Sequence, residues 1–408
     1  MVILFLSGLP GLSGAPTGVA ILVLLAWIIA VRTSGPDVRA MSTAHRGTLL
    51  ALVAFLSWLT LSITWSLSPS GAEEDVRKWL IAATTFVVIA TTVRSARGCA
   101  LLAGAFVAGA ALAVIAGLAM TGLQPASNAI NSAQDARLST GATDPNYLAA
   151  MLVAALALSA GLAAWRREPW VRIALASTAP LLLYGLVATQ SRGGLIAAAV
   201  AIVTAIVFLP AQRRRALAAT VPLLAVVALF FAVNPAAYQR VTQKDGGGTG
   251  RSELWRIAWQ MSADHPLVGV GVNNFLVREQ AYVRKVGPLK FAELVTDDPK
   301  VVHNMYLQML AETGVIGLAL FLMVIGALLR ATYRAARLLE RTGDVAGGTF
   351  ARCVLVSQLA MLTASVFLSN GPDRRYWVLF ALGPALWAVA RTRSHAQDDT
   401  APAGQTIS

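Results

Sequence analysis

Long apolar runs separated by short clusters of arginine constrain this chain more than any motif in it. A helix needs about 20 apolar residues to cross the hydrocarbon core of a bilayer. Eleven runs approach that length, at about 17–31, 47–66, 77–93, 99–122, 146–164, 171–190, 193–210, 216–233, 304–329, 351–369 and 376–390. Membrane β-strands would be about 10 residues long with alternating polarity, and these runs are neither. Composition agrees. Only 13% of the 408 residues are charged and 56% are hydrophobic, whereas a soluble domain carries roughly 25% charge. So few charges cannot cover a water-exposed surface, which excludes an ordinary cytosolic enzyme and a disordered chain. Two cysteines, Cys99 and Cys353, cannot build a disulfide framework, and no Cys/His cluster points to a metal. The net charge of +13 is scattered between apolar runs, which is a membrane pattern and not a nucleic-acid footprint. The expected fold is an all-α polytopic membrane protein, a bundle of 11–12 transmembrane helices. The opening Met1–Leu9 is apolar but short, lacks the basic start of a cleaved signal, and is the candidate twelfth helix.

Lysine and arginine concentrate in the short loops that face the cytoplasm. Loops at 32–46, 94–98, 165–172, 211–215, 330–352 and 391–408 hold 18 basic residues. The alternate short loops hold six: Arg77, Lys78, Arg137, Arg192, Arg374 and Arg375. The other nine lie in one long loop, which does not vote, because long loops cross largely regardless of charge. This alternation predicts a cytoplasmic C-terminus and puts the long loop outside. The chain then divides into an N-terminal transmembrane bundle (1–233), an outer loop (234–303), C-terminal transmembrane helices (304–390) and a polar tail (391–408) that reads as disordered. The loop opens on the glycine-rich run Lys244–Gly250. It continues into an amphipathic helix over 251–263, whose Leu254, Ala258 and Met261 share a face. Such a helix lies in the headgroup plane or packs on the roof of the bundle, and Pro266 ends it.

Four histidines are candidates for proton transfer. His45 and His395 fall in a cytoplasmic loop and the tail, and His265 at a helix end reads as a cap. His303 stands where the outer loop enters a span, and an imidazole is the natural general base near neutral pH. Asn304, Gln308 and Glu312 recur every four residues and share a helix face. Ionisable residues in a span face a cavity or a partner, so this stripe lines a site or builds an interhelical hydrogen-bond ladder. Gly314 and Gly317 follow, where close helix packing is the plain explanation. Arg192 follows Ser191 and precedes Gly193-Gly194 at the outer end of its span, and Arg251 opens the amphipathic helix. A guanidinium fork fits phosphate oxygens. Asp144-Pro145 makes a good helix start, with Asp144 as N-cap, and Asn146 beside it could orient a sugar hydroxyl. Trp58 and Trp65 fit an aromatic belt. Arg374 and Arg375 bind lipid phosphate or anchor their helix. No phosphate-binding loop, dinucleotide fingerprint, GxSxG, HExxH or DxD is present. ATP hydrolysis, dinucleotide chemistry and standard serine or zinc hydrolysis are therefore unsupported.

The segment His303-Asn304-Met305-Tyr306-Leu307-Gln308-Met309-Leu310-Ala311-Glu312-Thr313-Gly314 resembles the O-antigen ligase and polymerase superfamily. Asp144-Pro145-Asn146, Ser191-Arg192-Gly193-Gly194, Arg251-Ser252-Glu253-Leu254-Trp255 and His265-Pro266-Leu267-Val268-Gly269-Val270-Gly271 agree in order and spacing. The resemblance is strongest over 140–320. It implies a bundle of about a dozen helices in the bacterial inner membrane with one large periplasmic loop bearing the amphipathic helix. It implies transfer of a glycan from undecaprenyl diphosphate to a sugar hydroxyl on the periplasmic face, without metal, ATP or other cofactor. By the same resemblance His303 is the catalytic base, and Arg192 and Arg251 hold the diphosphate. Asn146, Asn304, Gln308, Glu312, Arg374 and Arg375 are supporting positions. The long single loop and the His-Asn…Glu-Thr-Gly segment favour a ligase with lipid A–core as acceptor. The alternatives are a polymerase that extends a lipid-linked glycan and, from another class, a lipid-linked glycan transporter. A transporter would gather its polar groups near the midplane, whereas these collect at the outer face.

Overall fold

The computed structural model describes residues 28–29, 32, 46–123, 137–140, 144–209, 213–235, 238, 251–287 and 300–400. The Met1–Leu9 segment, most of the expected span at 17–31, His45, the Lys244–Gly250 run, the His395 side chain and the end of the tail lie outside the described residues.

Twelve helices follow one another among the described residues. They are α1 (Arg46–Leu61), α2 (Pro69–Thr92), α3 (Ala96–Leu123), α4 (Pro145–Trp165), α5 (Pro169–Ala188), α6 (Arg192–Phe208), α7 (Arg213–Val233), α8 (Arg251–Asp264), α9 (Phe275–Lys285), α10 (Met305–Arg341), α11 (Val345–Ala364) and α12 (Arg374–Thr400). Each expected span from residue 47 onward falls on a helix. Among the described residues, six helices are long and apolar enough to cross a membrane: Arg46–Trp65, Ala96–Met120, Pro145–Trp165, Pro169–Ala188, Met305–Arg341 and Val345–Phe367. The chain is an all-α polytopic membrane protein.

Prolines set several starts. Pro69, Pro145 and Pro169 stand in the first turns of α2, α4 and α5, where their missing N–H costs nothing. The Asp144 carboxylate caps α4 through the Asn146 N–H (2.6 Å), and Ser191 caps α6 through Gly194 (3.1 Å). Inside the bundle α11 packs mainly on α4, and α12 on α10 and α2. Gly161 lets α4 meet α11: a Cβ there would stand 2.6 Å from that of Cys353. Phe55, Trp79, Phe321, Trp377 and Phe86 join α1, α2, α10 and α12 with ring centroids 5.1–6.1 Å apart. Most of these contacts are edge-to-face, a geometry worth about 0.5–1.5 kcal/mol per pair beyond area burial.

Three features depart from the sequence expectation. A second loop helix, α9, lies between Phe275 and Lys285. The last helix continues to Thr400 instead of ending near 390, so the first part of the expected tail is helical. The run at 304–329 is not one continuous helix. Gly314, at φ 67° and ψ −174°, breaks α10 into a short N-terminal part, 305–313, and a long C-terminal part. That backbone region is essentially restricted to glycine.

A loop fills the break. In the N-terminal part, the last carbonyls of Ala311 and Glu312 accept from the N–H groups of Val270 (3.0 Å) and Gly271 (2.8 Å). In the C-terminal part, the first N–H groups, of Val315 and Ile316, donate to the carbonyls of Pro266 (2.8 Å) and Leu267 (3.4 Å). The Trp58 indole donates to the Thr313 carbonyl (3.0 Å). Helix ends leave backbone groups unsatisfied, and in a membrane bundle protein must supply their partners. The two backbones touch through paired glycines. A Cβ on Gly314 would stand 2.1 Å from the Leu267 oxygen, and one on Gly269 would stand 2.3 Å from the Glu312 carbonyl carbon.

This docking creates a cap with its own hydrophobic cluster: Leu254, Ile257, Ala258, Met261, Val270, Phe275, Tyr282, Val302 and Ala311. Of its two expected placements, α8 takes the packed one, with Leu254, Ile257, Ala258 and Met261 buried and Trp259 exposed.

Candidate functional site

Several residues singled out in the sequence lie on elements that meet between cap and bundle. On the bundle side Asn146 opens α4, and its Oδ1 accepts from the Ser191 hydroxyl (2.7 Å) and from Arg137 (3.0 Å). Arg137 also donates to the Thr189 carbonyl (2.8 Å). The segment Thr189–Ser191 is thus fixed on both sides, with Gln190 in the left-handed region at φ 51°, and it delivers Arg192 as the first residue of α6. Gly193 follows because Phe367 lies over it: a Cβ would meet the Phe367 side chain at 3.0 Å.

On the cap side Arg251 begins α8, and Trp255 lies one turn further on. The Trp255 indole donates to the Val302 carbonyl (3.1 Å), which directly precedes His303. Its ring also lies 6.4 Å from that of Phe367. Trp255 therefore ties the Arg251 helix to His303, and through Phe367 to the start of the Arg192 helix.

His303 itself is left-handed, at φ 52°. Its Nδ1 is buried and makes no hydrogen bond among the described residues. Burial holds the imidazole below its usual pKa range. The positive charges of Arg251 and Lys300 push the same way, and the Asp144 carboxylate opposes them. His303, Arg251 and Asp144 thus share one electrostatic environment. A histidine kept neutral beside a fixed positive charge can accept a proton, and the guanidinium can hold an anion nearby.

The other candidates hold the frame. Asn304 is the N-cap of α10, its side-chain oxygen accepting from Tyr306 (3.1 Å) and Leu307 (3.0 Å). Glu312 is buried. It accepts from the Phe275 N–H (3.3 Å), from the Asn273 backbone and from the Gln308 amide (3.4 Å). Gln308 and Glu312 therefore form a polar ladder that ends on the cap loop. Asn274 continues it, accepting from the N–H groups of Leu67 (2.9 Å) and Ser68 (3.1 Å) before α2. Arg375 makes a bidentate pair with Asp373, from Nε at 3.0 and 3.1 Å. Arg374 lies beside the same carboxylate. Among the described residues, no group of three or more His, Cys, Asp or Glu side chains is placed to hold a metal.

Arg137, Trp255, Phe367 and the charge of Asp144 on His303 were not singled out from the sequence. One signal for Arg137 existed: it is one of the few arginines placed on the outer side.

The chain is a multi-span membrane bundle whose His303 lies at one end, within the charge of Arg251. Residues 177–322 match the family described as O-antigen ligase. The matched segment runs from α5 to the middle of α10 and contains Arg192, Arg251, His303 and the helix break. No curated protein matches the chain.

Proposed function

We propose that this protein is an O-antigen ligase of the bacterial inner membrane. In this reading it moves a glycan from undecaprenyl diphosphate to a sugar hydroxyl of lipid A–core at the periplasmic surface. The observation that carries the reading is the placement of His303 under the charge of Arg251, at the contact between the cap and the helix start that bears Arg192. His303 takes the proton from the acceptor hydroxyl. The hydroxyl oxygen bonds to C1 of the donor sugar as the bond from C1 to the phosphate oxygen breaks. Undecaprenyl diphosphate leaves with that electron pair, and Arg192 and Arg251 balance the charge developing on it. One displacement assisted by one base inverts the anomeric centre.

Purified protein supplied with a lipid-linked glycan tests the reading directly. Lipid A–core should become glycosylated, and the His303→Ala, Arg192→Ala and Arg251→Ala variants should each lose roughly 10²–10³ in rate while remaining folded. Full transfer by a folded His303→Ala variant would refute the mechanism. Extension of a second lipid-linked glycan, with lipid A–core untouched, would make the protein a polymerase.

A further inference from the structure

A charged recess lies at the end of the bundle opposite the site described above. It has a volume of about 440 Å³ and is lined by Ala96, Arg97, Ala100, Trp165, Arg166, Arg167 and Glu168. Three spans meet there: α3 and α5 begin at it and α4 ends at it. The site described above lies near the other end of α4, a 21-residue helix, so about 30 Å separates the two at 1.5 Å per residue.

The chemistry of the recess is that of a phosphate site. It holds three guanidinium groups against one carboxylate. Arg166 donates to Glu168 (2.7 Å), whereas Arg97 and Arg167 are exposed at the rim. The Trp165 ring is held in place by stacking on Phe350, with centroids 4.6 Å apart and planes 16° from parallel, and forms an apolar wall. Trp170, next to the recess, is 71% exposed. Tryptophan collects at the depth of lipid headgroups. A basic recess between helix ends at that depth suits an anionic headgroup, with the arginine forks on the phosphate and the acyl chains along the apolar flanks of the spans.

We propose that this recess binds the headgroup of an anionic phospholipid through Arg97, Arg166 and Arg167. The inference is independent of the glycosyl-transfer reading. It is tested on full-length protein stripped of lipid in neutral detergent, by melting temperature with added phosphatidylglycerol, phosphatidylcholine or inorganic phosphate. Phosphatidylglycerol should raise the melting temperature by several degrees and the other two should not. The doubly substituted Arg97→Gln/Arg167→Gln protein should lose most of that rise, whereas Arg330→Gln/Arg334→Gln, two exposed arginines on α10, should keep it. An equal response to phosphatidylcholine would overturn the proposal, as would an undiminished response in Arg97→Gln/Arg167→Gln. Stabilisation by inorganic phosphate alone at equal concentration would assign the recess to a soluble anion instead of a lipid.

Discussion

At the scale of single residues, the charges around His303 set the pH at which the proposed base titrates. Its pKa is depressed by burial first, then by Arg251, and partly restored by Asp144, with Lys300 a further depressing charge. A depressed pKa keeps the imidazole neutral at pH 7, and the base is lost only as pH falls through that depressed value, below the ordinary 6.5. The acidic limb of kcat/KM against pH reports this titration in the free enzyme. Asp144→Asn keeps a side-chain oxygen to cap α4 but removes the charge that raises the pKa, so the limb should move to lower pH. Lys300→Gln removes a depressing charge, so the limb should move to higher pH. Shifts in the same direction would show that His303 is not the titrating group. His303, Arg192 and Arg251 were legible in the sequence as residue types at one predicted face of the membrane. The supports of Arg192 were less so. Arg137 reaches Asn146 and Thr189 across a fold that no local pattern encodes, and in the sequence it counts only as one more loop arginine.

At the scale of elements, the broken α10 determines how the cap sits. The apolar run that reveals a span also hides the break, because 304–329 is hydrophobic on both sides of Gly314. The partner loop that makes the break stable lies far back in the chain. Glycine there fits close helix packing equally well, and only the backbone angles distinguish the two. The short α9 escapes for a related reason: it is polar along most of its length, and its buried Phe275, Glu279 and Tyr282 gain meaning only against α8. Glu312 tests the arrangement. If its task is to accept the N–H groups of the 273–275 loop, Glu312→Gln should retain most of the transfer rate. Glu312→Ala should leave buried donors unsatisfied, at about 1–3 kcal/mol, and lower kcat more than it raises KM. Loss of activity in Glu312→Gln equal to that in Glu312→Ala would instead mean that the carboxylate charge is needed. Gly314→Ala should be harsher than either, because it adds backbone strain of about 1–3 kcal/mol to the collision with Leu267. Its mark should be faster hydrogen exchange across 266–275, with the bundle helices unchanged.

At the scale of the whole molecule, two hydrophobic bodies meet at the proposed reaction centre. The membrane bundle was readable from its apolar runs, because burial in lipid leaves a continuous signature. The cap was readable only in part: the apolar face of α8 shows in the sequence, but its cluster is completed by Phe275 and Tyr282 of α9 and by Val270, Val302 and Ala311, which no local pattern joins to it. Arg251 and His303 ride on the cap, and Arg192 belongs to the bundle. A diphosphate caught between the two guanidinium groups would therefore act as a cross-brace, adding to the docked 266–275 loop and the contact of Trp255 with Phe367. A ligand that binds only the assembled state stabilises it by mass action. Soaking the protein with a non-transferable undecaprenyl diphosphate should therefore stiffen α8 more than α4, and a diphosphate cut down to one phosphate should stiffen it less.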